Sequence, residues 1–218
     1  MPTEPAQNVP ALAAILLAAG SSRRYGTDNK LLATIDGVPL VRRVALALAS
    51  FAFREIIVVT GHDDTAITHA LAPVIGPLRF VHNPRHSDGM GRSIAVGMAA
   101  VSATINGVLI AQADMPDVDA DLIARLCQRF RAAGGDRITA PWIADTDHSG
   151  GRTGNPVVWP ARLFADLGAL DGDRGGKALI EAAGASVERV IITTTAAAID
   201  IDTPAQLAAY QAARRDRG

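Results

Sequence analysis

The segment LAAILLAAGSSRRYG, residues 12–26, contains an unbroken apolar run that ends in a glycine and two serines. A short apolar run bounded by small turn residues is typical of a β-strand that is buried on both faces. Further predicted strands occupy residues 55–61, 79–82 and 107–114, and helix-like segments separate them. This alternation of buried strands and helices predicts an α/β fold with a mostly parallel sheet flanked by helices.

The helix-like segments have apolar residues at helical spacing and small or capping residues at their ends. In the first part of the chain, they are residues 41–50, 63–71, 92–101 and 119–132. The pattern becomes less regular after Trp142, where residues 144–154 form a polar loop. Beyond it we expect strands at 155–159 and 187–193, and helices from 161, at 177–183 and at 204–214.

Composition limits the function classes. The chain has 218 residues, 49% hydrophobic and 20% charged, with a formal net charge of −1, so it can bury a core but carries no broad basic surface. We therefore expect no nucleic-acid partner. Cys127 is the only cysteine, which excludes an intramolecular disulfide and a cysteine zinc site. The first ten residues lack a secretory signal and no apolar run could span a bilayer, so we expect a cytoplasmic protein without a membrane partner.

The loop after the first strand offers groups that can bind phosphate. In a parallel sheet, ligands bind outside the carboxyl ends of the strands, where Gly20, Gly61 and Asp114 are expected to lie. Small residues let backbone N–H groups approach a phosphate, and Arg24 and Lys30 would add positive charge. Taken alone, this pattern favours a phosphate-binding loop and a solvated surface loop about equally.

Spacing excludes two common phosphate loops. A P-loop has four residues between its glycines and then Lys-Ser or Lys-Thr, whereas five residues separate Gly20 from Gly26 and Thr27 follows. A dinucleotide-binding loop needs Gly-x-Gly-x-x-Gly directly after the strand, and residues 20–26 lack that pattern.

The loop resembles the signature of the MobA-like nucleotidyltransferases, and within them most of all the molybdenum cofactor cytidylyltransferases. It is also similar to the sugar-nucleotide and methylerythritol cytidylyltransferases. Tyr25 departs from the Met or Phe usual in the family. The matching residues of the signature are Leu17, Ala18, Ala19, Gly20, Ser22, Arg24, Gly26, Lys30 and Leu31. Five further segments resemble family motifs in the same order: 89–94, 111–116, 154–158, 172–175 and 200–204.

The resemblance implies a Rossmann-like, three-layer nucleotidyltransferase fold of the glycosyltransferase-A-like type. It implies one domain over residues 11–214 after a flexible start at 1–10, with a nucleotide-binding half at 11–135 and an acceptor-side half at 136–214. The implied reaction is Mg²⁺-dependent transfer of CMP from CTP to a phosphorylated acceptor, molybdopterin above all, with release of pyrophosphate. A molybdoenzyme apo-protein would then be a partner. Guanylyltransferases of the family have glycine where this chain has Ala19, which favours CTP over GTP.

The resemblance also assigns roles to residues. Arg24, Lys30 and Asp114 would be catalytic, and Asp114 and Asp202 would hold the metal ion. The same three catalytic residues would bind nucleotide together with Leu17, Ala18, Ala19, Gly20, Ser21, Ser22, Gly89, Gly91 and Ser93. The acceptor would contact Asn155, Asp173 and Arg174, and His148 is a further candidate for substrate contact.

Several alternatives remain open at this stage. Asp202 could be a metal ligand, or it could cap the helix that begins near Pro204. The acceptor could be a sugar phosphate, a polyol phosphate or phospholactate. The chain could also be a nucleotide-binding accessory protein for molybdoenzyme maturation that has no turnover. The sequence leaves the acceptor, the client enzyme and the oligomeric state undetermined.

Overall fold

The computed structural model describes residues 10–22, 24–26, 28–144, 150–192 and 199–215. Residues 1–9 of the predicted flexible start lie outside these ranges, as does His148. The described residues contain seven α-helices, none of them long and apolar enough to cross a membrane. The helices are α1 Leu40–Ala49, α2 Asp64–Leu71, α3 Met90–Ala99, α4 Ala120–Ala132, α5 Phe164–Gly168, α6 Lys177–Ala183 and α7 Pro204–Arg215.

Ten strands are formed by the same residues. They are β1 Leu12–Ala18, β2 Thr34–Ile35, β3 Val38–Pro39, β4 Ile56–Thr60, β5 Leu78–His82, β6 Gly107–Gln112, β7 Thr139–Ala144, β8 Gly151–Thr153, β9 Val157–Pro160 and β10 Glu188–Ile192. The main sheet has the order β10-β7-β9-β6-β1-β4-β5, and β8 pairs with β7. Its core is parallel, with β1 between β4 and β6. β9 runs antiparallel to β6 and β7, so the predicted mostly parallel α/β sheet is confirmed.

The position of β1 explains its unbroken apolar sequence. Leu12, Leu16 and the other even-numbered residues of β1 belong to the core on one face, together with side chains of α1 and α4. Ala13 and Ile15 belong to the core on the opposite face, together with side chains of α3 and α5. Successive side chains of a strand point to opposite faces, and helices cover both faces here, so every residue of β1 is apolar.

The parallel register brings three strand ends to one edge. Leu17 pairs with Gln112 across β1 and β6, and Ala18 pairs with Thr60 across β1 and β4. The chain therefore leaves β1, β4 and β6 at the same edge, as the sequence predicted for Gly20, Gly61 and Asp114. This edge carries the candidate site.

A small hairpin, formed by β2 and β3, was not predicted. Its two-residue turn is Asp36-Gly37, and both residues have positive φ angles, 52° and 75°. Two positive φ angles are the conformation that a tight hairpin turn requires, and Asp-Gly favours it. The core around Ile35 and Leu40 extends to Ile201 and Tyr210 near the C-terminus, so this hairpin helps to seat α7.

We predict that the thiol of Cys127 is unreactive in the folded protein. Cys127 is buried in α4, and burial raises the pKa of its thiol to about 12, although nearby Arg131 opposes the shift. Because the thiolate is the reactive form, labelling by a thiol reagent near pH 8 should be roughly a thousandfold slower in the native protein than in urea. Rapid labelling while the circular dichroism spectrum stays native would contradict this placement.

Candidate functional site

The turn after β1 is held by hydrogen bonds between side chains and backbone. The Ser22 hydroxyl accepts a bond from Lys30 N at 3.2 Å and donates to Asn29 Oδ1 at 3.3 Å. The buried Asn29 also accepts from Leu31 N at 3.0 Å and donates to Asp63 Oδ2 at 3.2 Å. Asn29 thus caps the short 3-10 turn that contains Lys30 and fixes the backbone position of the lysine. This role was not predicted from the sequence.

The ammonium of Lys30 lies between two carboxylates. Its Nζ is 2.7 Å from Asp114 Oδ2 and 2.7 Å from Asp202 Oδ1, and the Lys30 side chain is only 11% exposed. Burial is the largest single influence on the pKa of Lys30 and lowers it. The charges and hydrogen bonds of Asp114 and Asp202 outweigh burial, and the pKa is raised above its ordinary value. Lys30 is therefore a fixed cation at neutral pH.

Two backbone arrangements bring the carboxylates together. Asp114 follows the end of β6 by two residues, and its carbonyl accepts a hydrogen bond from Ile201 N at 3.0 Å, which places Asp202 beside it. Thr203 caps α7, because its hydroxyl accepts from Gln206 N at 3.2 Å and Gln206 Oε1 accepts from Thr203 N at 2.8 Å. This reciprocal pair is a capping box, so the Asp202 carboxylate is not the helix cap and lies in the site.

Arg24 adds a second cation at the mouth of the site. Its guanidinium is 2.7 Å from Asp202 Oδ2, while its side chain is 74% exposed. The other oxygen of the inner carboxylate, Asp114 Oδ1, is buried and has no hydrogen-bond partner among the described residues. Two cations therefore balance two carboxylates, and one buried oxygen atom still lacks a donor.

A cavity of about 340 Å³ opens above these charged groups. Most residues predicted to bind nucleotide line it: Leu17, Ala19, Gly20, Ser21, Ser22, Arg24, Lys30, Gly89, Ser93 and Asp114. Asp173 and Asp202 also line it, and so do five residues that were not predicted to bind nucleotide: Leu31, His86, Ser87, Met90 and Gln112. Ala18 and Gly91 are not among the lining residues, and Ala18 is fully buried in the core below.

Gly89 and Gly91 lie against the turn at residues 171–173. Gly91 N donates to Gly172 O at 2.8 Å, and an added Cβ on Gly91 would lie 2.7 Å from Asp171 O. Gly89 has φ of 113°, and a Cβ there would meet Asp173 Oδ1 at 2.7 Å. Both glycines therefore let the turn at 171–173 approach the start of α3, which brings Asp173 to the cavity wall. Their contact with a nucleotide base stays a prediction.

Ser93, His86 and Ala19 also line the cavity. Ser93 accepts a hydrogen bond from Asn83 Nδ2 at 3.0 Å and is held in place by it. A Cβ on Gly61 would lie 2.5 Å from His86 Cβ and 2.9 Å from Ala19 Cβ, so only glycine at this position admits both side chains. Gly61 therefore lets His86 and Ala19 both reach the cavity wall.

The predicted acceptor residues are not brought together in one place. Asp173 lines the large cavity, whereas Asn155 lines a second cavity of about 110 Å³ that also contacts Gln112. Arg174 is exposed and lines neither of these two cavities.

We predict that Lys30→Met destabilises the fold, because Asp114 and Asp202 would then repel each other without a cation between them. The free energy of unfolding at neutral pH should fall by about 2–4 kcal/mol, measured by urea denaturation. Adding Asp202→Asn to this variant should restore part of the loss, since it removes one of the two charges.

Lys177→Met is the matched control. Lys177 is 73% exposed and pairs with Glu181 at 3.7 Å on the surface of α6, so its loss should change stability by no more than about 0.5 kcal/mol. Equal losses in the two lysine variants would show that the Lys30 cluster has no special role in stability.

Comparison with known proteins shows the family to which the chain belongs. A family model described as the MobA-like NTP transferase domain matches residues 14–190. Nicotine blue oxidoreductase from Paenarthrobacter nicotinovorans is 28% identical over 202 residues, which cover 92% of this chain and 96% of that protein.

Solved structures share the fold. An Rv0371c homologue from Mycobacterium sp. strain JC1 superposes with a TM-score of 0.78 at 23% identity, covering 95% of this chain and 98% of that one. Rv0371c of Mycobacterium tuberculosis H37Rv, in complex with manganese, superposes with a TM-score of 0.72 at 20% identity, covering 93% and 98%. At these identities, the likeness supports the fold alone.

Proposed function

Because this chain belongs to the family of MobA-like NTP transferases, we propose that it transfers CMP from CTP to a phosphorylated acceptor, above all molybdopterin, and releases pyrophosphate. The observation that carries the proposal is the cluster of Lys30, Asp114 and Asp202 at the floor of the 340 Å³ cavity. The finished cofactor would pass to a molybdoenzyme apo-protein.

The two carboxylates fit a magnesium ion. Asp114 Oδ1 is a buried oxygen without a donor among the described residues, and Asp202 lies opposite Asp114 across Lys30. The described residues contain no group of three or more His, Cys, Asp or Glu that could hold a metal. Mg²⁺ is commonly bound by one or two carboxylates plus substrate phosphates, so two carboxylates suffice once a nucleotide is present. Bound there, Mg²⁺ would neutralise phosphate charge, and the manganese complex of Rv0371c is compatible with a divalent ion.

Lys30 would change partners when the nucleotide binds. Its ammonium now neutralises both carboxylates, and a divalent cation held by the same carboxylates would remove that need. The freed ammonium can then donate hydrogen bonds to the triphosphate, because it is a compact charge on a flexible side chain. Arg24, exposed at the cavity mouth, can bind the outer phosphates through its planar fork.

The reaction needs alignment and charge neutralisation more than covalent catalysis. An oxygen of the acceptor phosphate attacks the α-phosphorus of CTP, and the bond between that phosphorus and the bridging oxygen breaks. The electron pair leaves with pyrophosphate, whose charge Lys30 and Arg24 would neutralise. Positioning and preorganised charge supply the rate in reactions of this type.

We expect Asp114→Ala to abolish pyrophosphate release from CTP in the presence of Mg²⁺ and purified molybdopterin. Arg24→Ala and Lys30→Ala should each raise the barrier by about 2–4 kcal/mol, since each removes a charge that stabilises the leaving group. Each variant is assayed under conditions where its circular dichroism spectrum is native.

Asp121→Ala provides the control, because Asp121 lies on α4 with a side chain that is 75% exposed and pairs only at the surface with Arg125. It should keep wild-type turnover. Full Mg²⁺-dependent activity in Asp114→Ala would refute the metal assignment.

We further expect CTP to be preferred over GTP, and Ala19→Gly to weaken that preference. Ala19 lines the cavity near His86, and its methyl group, which glycine lacks, leaves less room for the larger purine base. Pocket contacts that differ by one methyl change the ratio of kcat/KM by roughly tenfold or more. The measurement is kcat/KM for both nucleotides in both proteins, and an unchanged ratio would show that Ala19 does not select the base.

The name of the relative from Paenarthrobacter nicotinovorans suggests an oxidoreductase as a second candidate. The loop at 20–26 lacks a dinucleotide-binding pattern, which speaks against a nicotinamide cofactor in that position. Following the absorbance of NADH with quinone-type acceptors tests this alternative directly. CTP binding without pyrophosphate release for molybdopterin or for sugar, polyol and other small phosphates would instead favour the accessory role.

A further inference from the structure

The second cavity, of about 110 Å³, lies beside the larger one at the carboxyl edge of the sheet. Gln112, the last residue of β6, lines both cavities and forms the partition between them. The residues around the second cavity include Gln112, Met115, Arg152, Thr153, Asn155 and Asp200.

The chain places this cavity next to the reacting centre. Met115 directly follows Asp114, and Asp200 precedes Asp202 by two residues. The antiparallel register that pairs Ile110 with Val157 leads on towards Gln112 and Asn155 at the ends of β6 and β9. A molecule in the second cavity would therefore lie beside the carboxylates and the α-phosphate of a nucleotide in the first.

The position of Arg152 follows from the way β8 packs. β8 pairs antiparallel with β7, and Arg152 lies opposite Ile143. Gly151 lies so close to the Trp142 indole that a Cβ would be 2.7 Å from Trp142 Nε1, so the short strand can lie flat against this ring. Arg152 follows at the rim of the cavity, where its side chain is exposed to incoming ligands.

We propose that the second cavity binds the phosphomonoester group of the acceptor, and that Arg152 is the cation that recognises it. This inference rests on the proposed function. A guanidinium binds a phosphate through two parallel hydrogen bonds, and the amides of Gln112 and Asn155 and the hydroxyl of Thr153 can donate further ones. Asp200 can accept from N–H or O–H groups on the organic part, so the ligand class is a phosphomonoester with such donors.

Electrostatics explain why the acceptor needs its own cation. A phosphomonoester dianion must approach a triphosphate, and two unit charges 4 Å apart already repel by about 4 kcal/mol at the effective dielectric constant of a protein surface. Lys30 and Arg24 are engaged by Asp114 and Asp202, and on the proposed function they turn to the leaving pyrophosphate. Arg152 supplies the neutralising charge on the acceptor side. The dianion then attacks the α-phosphorus without any proton transfer, and the bond to pyrophosphate breaks.

The first test measures binding of inorganic phosphate to the full chain by calorimetry, with the nucleotide cavity saturated by CTP and without added metal. Arg152→Gln should weaken phosphate binding roughly tenfold or more, and Arg152→Lys should recover part of it. Arg54→Gln is the control, since Arg54 is exposed next to the amino end of β4, at the opposite edge of the sheet. Equal phosphate affinities in wild type and Arg152→Gln would overturn the proposal, whether or not the protein has transferase activity.

The second test uses turnover with CTP and molybdopterin. Arg152→Gln should raise the KM for the acceptor roughly tenfold while leaving the KM for CTP unchanged, because the two ligands occupy different cavities. A higher KM for CTP instead, or a higher acceptor KM in Arg174→Gln but not in Arg152→Gln, would overturn the assignment. If the wild-type protein released no pyrophosphate at all, the proposed function would fail, and the phosphate titration would still decide whether the second cavity is an anion site.

Discussion

The ammonium of Lys30 connects parts of the chain that are far apart in sequence. It binds Asp114, which is 84 residues away, and Asp202, which is 172 residues away. Two carboxylates this close, with side chains only 17% and 13% exposed, would repel each other strongly without a cation between them. The charge of Lys30 therefore stabilises the arrangement in which the end of β6, the turn after β1 and the segment before α7 share one edge of the sheet.

The same constraint makes the site responsive to its ligands. Arg24 and Lys30 balance the charges of Asp114 and Asp202, so these four side chains together carry no net charge. When a nucleotide binds with its divalent cation, the cation can bind the two carboxylates and the phosphates can bind Lys30 and Arg24. A bare triphosphate would have to compete with the carboxylates for both cations. Metal and nucleotide binding are thus expected to support each other.

Periodicity predicted the central strands because β1, β4 and β6 are buried on both faces and need unbroken apolar sequence. β7 was missed because Pro141 and the polar residues after the strand interrupt its pattern, and β8 because the three residues Gly151–Thr153 are too few to give a periodic signal. Asp36-Gly37 is typical of a tight hairpin turn, but β2 and β3 have only two residues each and show no periodic pattern. Lys30 was predicted as a phosphate ligand, but its ion pairs were not. They depend on the position of Asp202, which is 172 residues away in sequence and is fixed only by tertiary structure.

The predicted division into a nucleotide half and an acceptor half at residue 135 stays a prediction, and residues from both sides of that boundary line each of the two cavities. Asp173 and Asp202, from the second half, line the cavity proposed for the nucleotide, while Gln112, from the first half, also lines the smaller one. In a parallel sheet, the strand ends meet at an edge regardless of their order in the chain, and β9 inserts beside β6 by running antiparallel. Sequence order therefore does not separate the residues of the two cavities, and Gln112 lines both of them.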